Sequence, residues 1–227
     1  VFQNVGPFDQ QRALTFTDAS FASLSKGRSQ LAFGVGITRD VPGKPVPAEA
    51  AINWMSYGAH RSPRVAKSAP MAELLAGVRG VEEGQLVSQL LFDVTRRRHS
   101  ISELRDATNS ADGLIPVDWC TDSRDIFSAA ATTRIRAIDR NSYVYMAWLR
   151  ESLTRGSLRH ILWCTSEDQL MDAMTKVMCT KTLREVIRTG VWRPQGPVEV
   201  ALLRDVFDDG SWGADDDPDL ANIEVVG

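Results

Sequence analysis

The chain is expected to fold as a mixed α/β domain: a sheet that begins as an antiparallel meander, continues in parallel strands and carries helices on both faces. Three observations predict this. Short β-rich segments separated by turn residues fill the N-terminal quarter. A long stretch with helical apolar spacing follows. Beyond it, apolar runs alternate with helical segments, an order that forces parallel pairing through right-handed crossovers.

The elements follow in order. Residues 1–12 are polar and bear Gly6 and Pro7, a lead-in. Ala13–Ala19 (ALTFTDA) reads as the first strand and Leu31–Thr38 (LAFGVGIT) as the second, with turn-like Ser23–Gln30 between them. Arg39–Pro47 holds three prolines and a glycine, and Ala50–Tyr57 (AAINWMSY) reads as the third strand. A basic loop, Gly58–Ala69, leads to Pro70, where a helix can begin. Leu74, Leu75, Val78, Val81, Leu86, Leu90 and Leu91 give Met71–Val94 its helical period. Ser102–Ala107 is a short helix, Pro116–Thr121 (PVDWCT) a fourth strand and Asp122–Ala131 a helix. Asn141–Leu153 is a further helix stopped by Gly156, and Leu158–Cys164 (LRHILWC) is the fifth strand. Ser166 or Asp168 is placed to cap a last helix, Gln169–Arg188. The domain is thus expected over 13–190. Residues 191–227 read as a tail, acidic and disordered from about 208, where Asp208, Asp209, Asp215, Asp216, Asp217 and Asp219 gather.

Composition narrows the function classes. Hydrophobic residues at 43% supply a core, and a net charge of −3 confines any nucleic-acid surface to a local patch. No apolar run approaches the roughly 20 residues of a membrane span, and no secretory leader is visible. The first residue is Val1 rather than Met, as in a fragment of something longer. Cys120, Cys164 and Cys179 lack metal-ligand spacing and read as buried free thiols of a reducing compartment. His60, His99 and His160 show no ligand spacing either. Trp54, Trp119, Trp163 and Trp148 read as core.

Four carboxylates fall at informative places. Asp18 ends the first strand, Glu73 lies in the first turn of the long helix, Asp122 ends the fourth strand and opens a helix, and Asp172 lies in the first turn or so of the last helix. Ligands of open α/β sheets gather at the carboxyl ends of strands, so neighbouring strands one and four would bring Asp18 and Asp122 together. Two like charges at 4 Å repel by about 4 kcal/mol at an effective dielectric near 20, so such a cluster calls for cations. An oxygen-only ligand set suits Mg²⁺ or Mn²⁺. Helix capping accounts for any one of these acids, and spacing alone does not separate the two readings. The words around the acids do.

Those words resemble the ribonuclease H domain of copia-type LTR retrotransposons over about Thr15 to Lys176. Thr17-Asp18-Ala19-Ser20-Phe21-Ala22 resembles the family word DADWA, and Ile52-Asn53-Trp54-Met55-Ser56 resembles ISWKS. The stretch Val65 to Glu73 (VAKSAPMAE) resembles VALSSTEAE without a gap, which places Glu73 on the family's catalytic glutamate. Cys120-Thr121-Asp122-Ser123 resembles CDNQS, and Leu149-Arg150-Glu151 resembles IRE. Glu167 to Lys176 (EDQLMDAMTK) resembles TEDQLADILTK and places the fourth carboxylate on Asp172 rather than Asp168. The chain departs from the family at Met71 and Leu74, where the family has a glutamate and a tyrosine. The word KHIDI survives only as Arg136-Ala137-Ile138-Asp139, and Cys164–Asp168 lacks the histidine of cellular enzymes.

The resemblance implies a ribonuclease H-like fold, a five-stranded mixed sheet in order 3-2-1-4-5. It implies two Mg²⁺ ions, with Mn²⁺ as substitute, held by Asp18, Glu73, Asp122 and Asp172, and hydrolysis of the RNA strand of RNA–DNA hybrids to a 3′-hydroxyl and a 5′-phosphate. It also implies a reverse transcriptase domain in the same polyprotein and an intracellular setting, cytoplasmic or nuclear. Ser20, Ser123, Arg28 and Arg64 are the candidate substrate contacts; turn hydrogen bonding and a solvated charged face are the competing explanations. Further arginines follow the long helix (Arg96, Arg97, Arg98) and the fourth strand (Arg134, Arg136, Arg140). The alternative, from another class, is a catalytically inactive module of the same fold that binds nucleic acid or a reverse transcriptase.

Overall fold

The computed structural model describes residues 2–45, 48–96, 100–110, 114–131, 142–176, 181–201 and 223–226. In chain order the elements are β1 (Gln11–Leu24), β2 (Arg28–Arg39), β3 (Ala50–Ala51), β4 (Asn53–Arg61), α1 (Ala69–Arg96) and α2 (Ile101–Ser110). They continue with β5 (Val117–Thr121), α3 (Arg124–Ala131), α4 (Tyr143–Thr154), β6 (His160–Trp163), α5 (Asp172–Thr175) and α6 (Lys181–Thr189). Three short strands close the list: β7 (Val191–Trp192), β8 (Val198–Ala201) and β9 (Ile223–Val226).

The main sheet runs β4-β2-β1-β5-β6-β8-β9. Its first five members stand in the expected order, but the described sheet has seven strands rather than five, because β8 and β9 extend it beyond β6. β4, β2 and β1 are antiparallel, β1, β5 and β6 are parallel, and β8 and β9 return antiparallel. A central strand is covered on both faces, which is why residues 12–18 of β1 are all buried. Odd positions of β1 and β5 (Ala13, Val117, Trp119) pack against α1, α3 and α4, together with Phe127, Met146 and Leu149. Even positions (Leu14, Phe16, Cys120) pack on the other side with Met171, Val186 and Trp192.

Local chemistry sets the helix ends. The Ser68 carbonyl and hydroxyl accept from the N–H groups of Ala72 and Met71, which starts α1. Ser100 and Glu103 exchange hydrogen bonds in a capping box at α2. Gly156, at φ +78°, ends α4, its N–H donating to Leu153 O. α1 lies close on the sheet because Gly77, Gly80 and Gly84 line its inner face. A Cβ at Gly77 would stand 2.2 Å from the Trp119 ring, and one at Gly80 2.3 Å from Thr17 Cγ2.

Several expected boundaries change. The lead-in is shorter: Arg12 is fully buried within β1 and Val5 joins the core. The third strand divides at Ile52, whose N–H donates to Gly190 O, so 50–51 pair with β7 while 53–61 pair with β2. The last helix is not continuous. Lys176 is extended (φ −115°, ψ 159°), which ends α5 after one turn. Neither Ser166 nor Asp168 caps it. Asp168 instead accepts from the N–H groups of Gln195 and Gly196, both at 2.8 Å. The expected tail begins inside the packed domain, since Trp192, Val198 and Val200 are buried in the second core. The acidic stretch from 208, Cys179, and the arginines at 97, 98, 134, 136 and 140 lie outside the described residues. Cys120 and Cys164 are buried free thiols. No helix among the described residues is long and apolar enough to cross a membrane.

An ion network occupies the amino ends of the three parallel strands. Asp118, with no exposed side-chain surface, receives Arg12 Nη1 at 3.0 Å, Arg159 Nη2 at 2.8 Å and His160 Nδ1 at 2.9 Å. Arg159 also binds Asp40 at 2.8 Å, and Arg12 Nη1 donates to Pro45 O. Burial pushes the Asp118 carboxyl up. Hydrogen bonds from His160 and Arg159, with the charges of Arg159 and Arg12, outweigh this and hold it well below the usual carboxylate range.

Candidate metal centre

Asp18 and Asp122 meet because of strand register. Phe16 faces Cys120 across the parallel β1–β5 pair, so two residues further along each chain the aspartates stand side by side on the same face. β1 does not stop at Asp18. It continues to Leu24 with a register slip between Ser20 and Leu24, leaving Asp18 only 2% exposed. β5 stops at Thr121, and Asp122 follows it. Glu73 arrives from the opposite face, one turn into α1 rather than in its first turn. Its Oε1 accepts the Ala19 N–H at 3.1 Å.

One carboxylate oxygen from each of Asp18, Glu73 and Asp122 lies within 4.8 Å of the other two. Glu73 Oε2 is buried with no hydrogen-bond partner among the described residues. Ser166 Oγ donates to Asp122 Oδ2 at 2.7 Å, and Trp163 Nε1 donates to the Asp122 carbonyl at 2.9 Å. Asp172 stands at the edge of this group. It opens α5, forms an ion pair with Lys176, and is not one of the three acids that share ligand distance. Thr175 donates its hydroxyl proton to Asp18 Oδ2.

Burial, then the charges of Asp18 and Asp122, push the Glu73 carboxyl up to about 9, against the pull of the Ala19 N–H and Lys176. Burial is also the largest influence on Asp18, raised to about 6. The Thr175 hydroxyl and Lys176 oppose it, and the charges of Asp122 and Asp172 add to it. In the unfolded chain both groups ionise near pH 4. Without cations the folded state therefore holds more protons across the window from about 4 to 9, and stability falls as pH rises through it. Divalent ions favour the ionised forms. We expect the rise in Tm on adding Mg²⁺ to be small near pH 5 and to grow toward pH 9. Melting curves with and without Mg²⁺ across that range check this, and a pH-independent difference would contradict it.

The fold class is ribonuclease H-like. This rests on the strand order and directions described above, a β4-β2-β1 meander continued by parallel β5 and β6. No protein-family model matches the chain, and no curated protein matches it. Among solved structures it is similar to LC11 ribonuclease H1, isolated from compost by a metagenomic approach. Identity is 14%, over 72% of this chain and 89% of that one, with a TM-score of 0.41. The same enzyme in complex with an RNA/DNA hybrid gives 10% identity over 76% and 99%, with a TM-score of 0.44. The protease-reverse transcriptase of prototype foamy virus gives 14% identity over 66% of this chain and 17% of that one, with a TM-score of 0.33.

The candidate substrate contacts are placed as follows. Arg28 donates to the carbonyls of Ser62 and Pro63, tying the β1–β2 turn to the loop before α1. Arg64, in that loop, meets the Tyr145 hydroxyl at 3.4 Å. The Ser20 carbonyl accepts from Ser23 Oγ, and the Ser123 carbonyl accepts the Phe127 N–H that starts α3. Three side chains that touch the acids were not singled out from the sequence for that role: Ser166, Thr175 and Lys176. Thr175 and Lys176 close the EDQLMDAMTK word, so their proximity to Asp172 was the available signal.

Proposed function

We propose that this chain is a metal-dependent endonuclease of the ribonuclease H type, hydrolysing the RNA strand of RNA–DNA hybrids within a retrotransposon reverse transcriptase polyprotein. The observation that supports it is the convergence of Asp18, Glu73 and Asp122 from two strands and a helix. Their oxygens make a hard, anionic donor set, and the unpartnered Glu73 Oε2 fits a cation rather than an internal hydrogen bond. Asp18, Glu73 and Asp122 would hold Mg²⁺ or Mn²⁺, with Asp172 beside a second ion. When bound, such a pair activates a water and stabilises the departing 3′-oxygen, leaving a 3′-hydroxyl and a 5′-phosphate.

The protein's own part is positioning. The parallel β1–β5 pair fixes Asp18 beside Asp122, Ser166 orients the outer oxygen of Asp122, and the Ala19 N–H orients Glu73. No side-chain nucleophile is required. Hybrid recognition would rest on phosphate and 2′-hydroxyl contacts rather than base edges, with Arg28, Arg64, Ser20 and Ser123 as the candidates. A reverse transcriptase domain as partner and an intracellular setting belong to the same proposal. The test compares cleavage of an RNA–DNA hybrid with duplex RNA and duplex DNA in Mg²⁺ or Mn²⁺. RNA is expected to be cut in the hybrid alone, with loss of cutting on chelation and recovery on returning the ion. Cleavage that survives chelation, or that spreads to duplex DNA, would refute the proposal.

A further inference from the structure

We propose that Lys176 is a built-in counter-ion of the acidic site: without substrate its ammonium holds Asp172, the site takes a single divalent ion on Asp18, Glu73 and Asp122, and a second ion enters only by displacing that ammonium. The inference rests on the nuclease reading above and adds how the ions are taken up.

Four observations carry it. Lys176 Nζ is ion-paired with Asp172 Oδ1, four residues back across the single turn of α5. Asp172 lies outside the group of acids that share ligand distance, so the carboxylate paired with the ammonium is the one that stands apart. The preceding residue, Thr175, gives its hydroxyl proton to Asp18, so one turn brings both a proton donor and a full positive charge to the acids. The positive charge acts on Asp18 and Glu73 as well as on Asp172.

The backbone turn that carries Lys176 is fastened to β2. Gln30 Nε2 of β2 donates to Met174 O at 2.7 Å, the Lys176 N–H closes on Asp172 O at 3.0 Å, and Met171 packs against Gly34. A tethered cation competes with a divalent ion for the same carboxylate and repels it directly. The Lys176 side chain is half exposed, so its head can swing to solvent once a stronger cation arrives.

The experiment counts Mn²⁺ bound to the whole chain at neutral pH without nucleic acid, by electron paramagnetic resonance and calorimetry. The wild type is expected to bind one ion tightly. Lys176→Gln should bind a second about tenfold more tightly than the wild type does. Lys176→Arg should restore single occupancy, and Asp172→Asn placed on Lys176→Gln should remove the second ion again. Two equivalent ions in the wild type, or no change in Lys176→Gln, would overturn the counter-ion role while leaving the nuclease reading intact. No ion bound by the wild type or any variant would overturn both.

Discussion

Replacing Asp122 with Asn is expected to reduce hybrid cleavage by about a thousandfold or more while leaving the fold at least as stable. The two effects have one cause. Asp122 is one of three carboxylates that each bring one oxygen within 4.8 Å of the other two, and its charge helps push both Asp18 and Glu73 up. At about 4 Å and an effective dielectric near 20, each like-charge pair costs about 4 kcal/mol. In the metal-free chain at neutral pH Glu73, raised to about 9, is largely protonated, so removing the Asp122 charge relieves chiefly its repulsion with Asp18. The amide keeps the shape and can still accept from Ser166 Oγ. It no longer offers an anionic oxygen to a divalent ion. Rates on a hybrid substrate beside thermal melting in chelator check this. Full activity in Asp122→Asn would refute the site. Lost activity with a collapsed Tm would mean that the residue holds the fold together.

Asp118→Ala carries the opposite expectation: activity matters little and stability matters greatly. This carboxylate is fully buried and receives Arg12, Arg159 and His160. Arg12 is equally buried, and its Nε and Nη2 have no partner among the described residues, so Asp118 is its main counter-charge. Truncating one member of a buried ion pair leaves the other uncompensated, which costs about 3–5 kcal/mol. Because the folded carboxyl ionises far below the usual range, its contribution is present above about pH 4 and is lost only as pH falls through the depressed value. Urea unfolding at neutral pH should show the full loss in Asp118→Ala. Asp118→Leu combined with Arg12→Met should recover much of it, since an apolar pair of similar volume removes both charges. A loss below about 1 kcal/mol in the single variant would show that the network is solvated.

The two ends of the same strands differ in how well the sequence announces them. Asp18 and Asp122 each sit inside a short word, and the parallel pairing that joins them follows from the β-α-β order, so register alone brings them together. The Asp118 network has no such signal. Its members come from positions 12, 40, 118, 159 and 160, and Arg12 looks like the end of a polar lead-in. Helical period made α1 legible from Leu74 to Leu91, and Gly156 marked the end of α4. The capping candidates Ser166 and Asp168 misled at 169–188, where a single helix does not form. Leu170, Met171 and Met174 fit a helical face, yet Met171 is buried in the core behind β1 and β2 while Lys176 is extended. The break serves side chains from distant segments, which local spacing does not encode. Trp192 and the alternation at Val198 and Val200 were readable as strand signals, but the nearby aspartates dominated the reading of the tail.

The position of β8 bears on how much chain a workable domain needs. β6 would be the last parallel strand of the sheet if the polypeptide stopped at Gly190, and its outer row of amides and carbonyls would face solvent unpaired. Exposed rows of that kind recruit strands from other molecules. Such a shortened piece would also lose Trp192, which stands 5.0 Å from the Phe16 ring, and would strand the Asp168 carboxylate without the two N–H groups that now satisfy it. The residues between 191 and 201 thus shield the sheet from self-association and plug the face behind the acids.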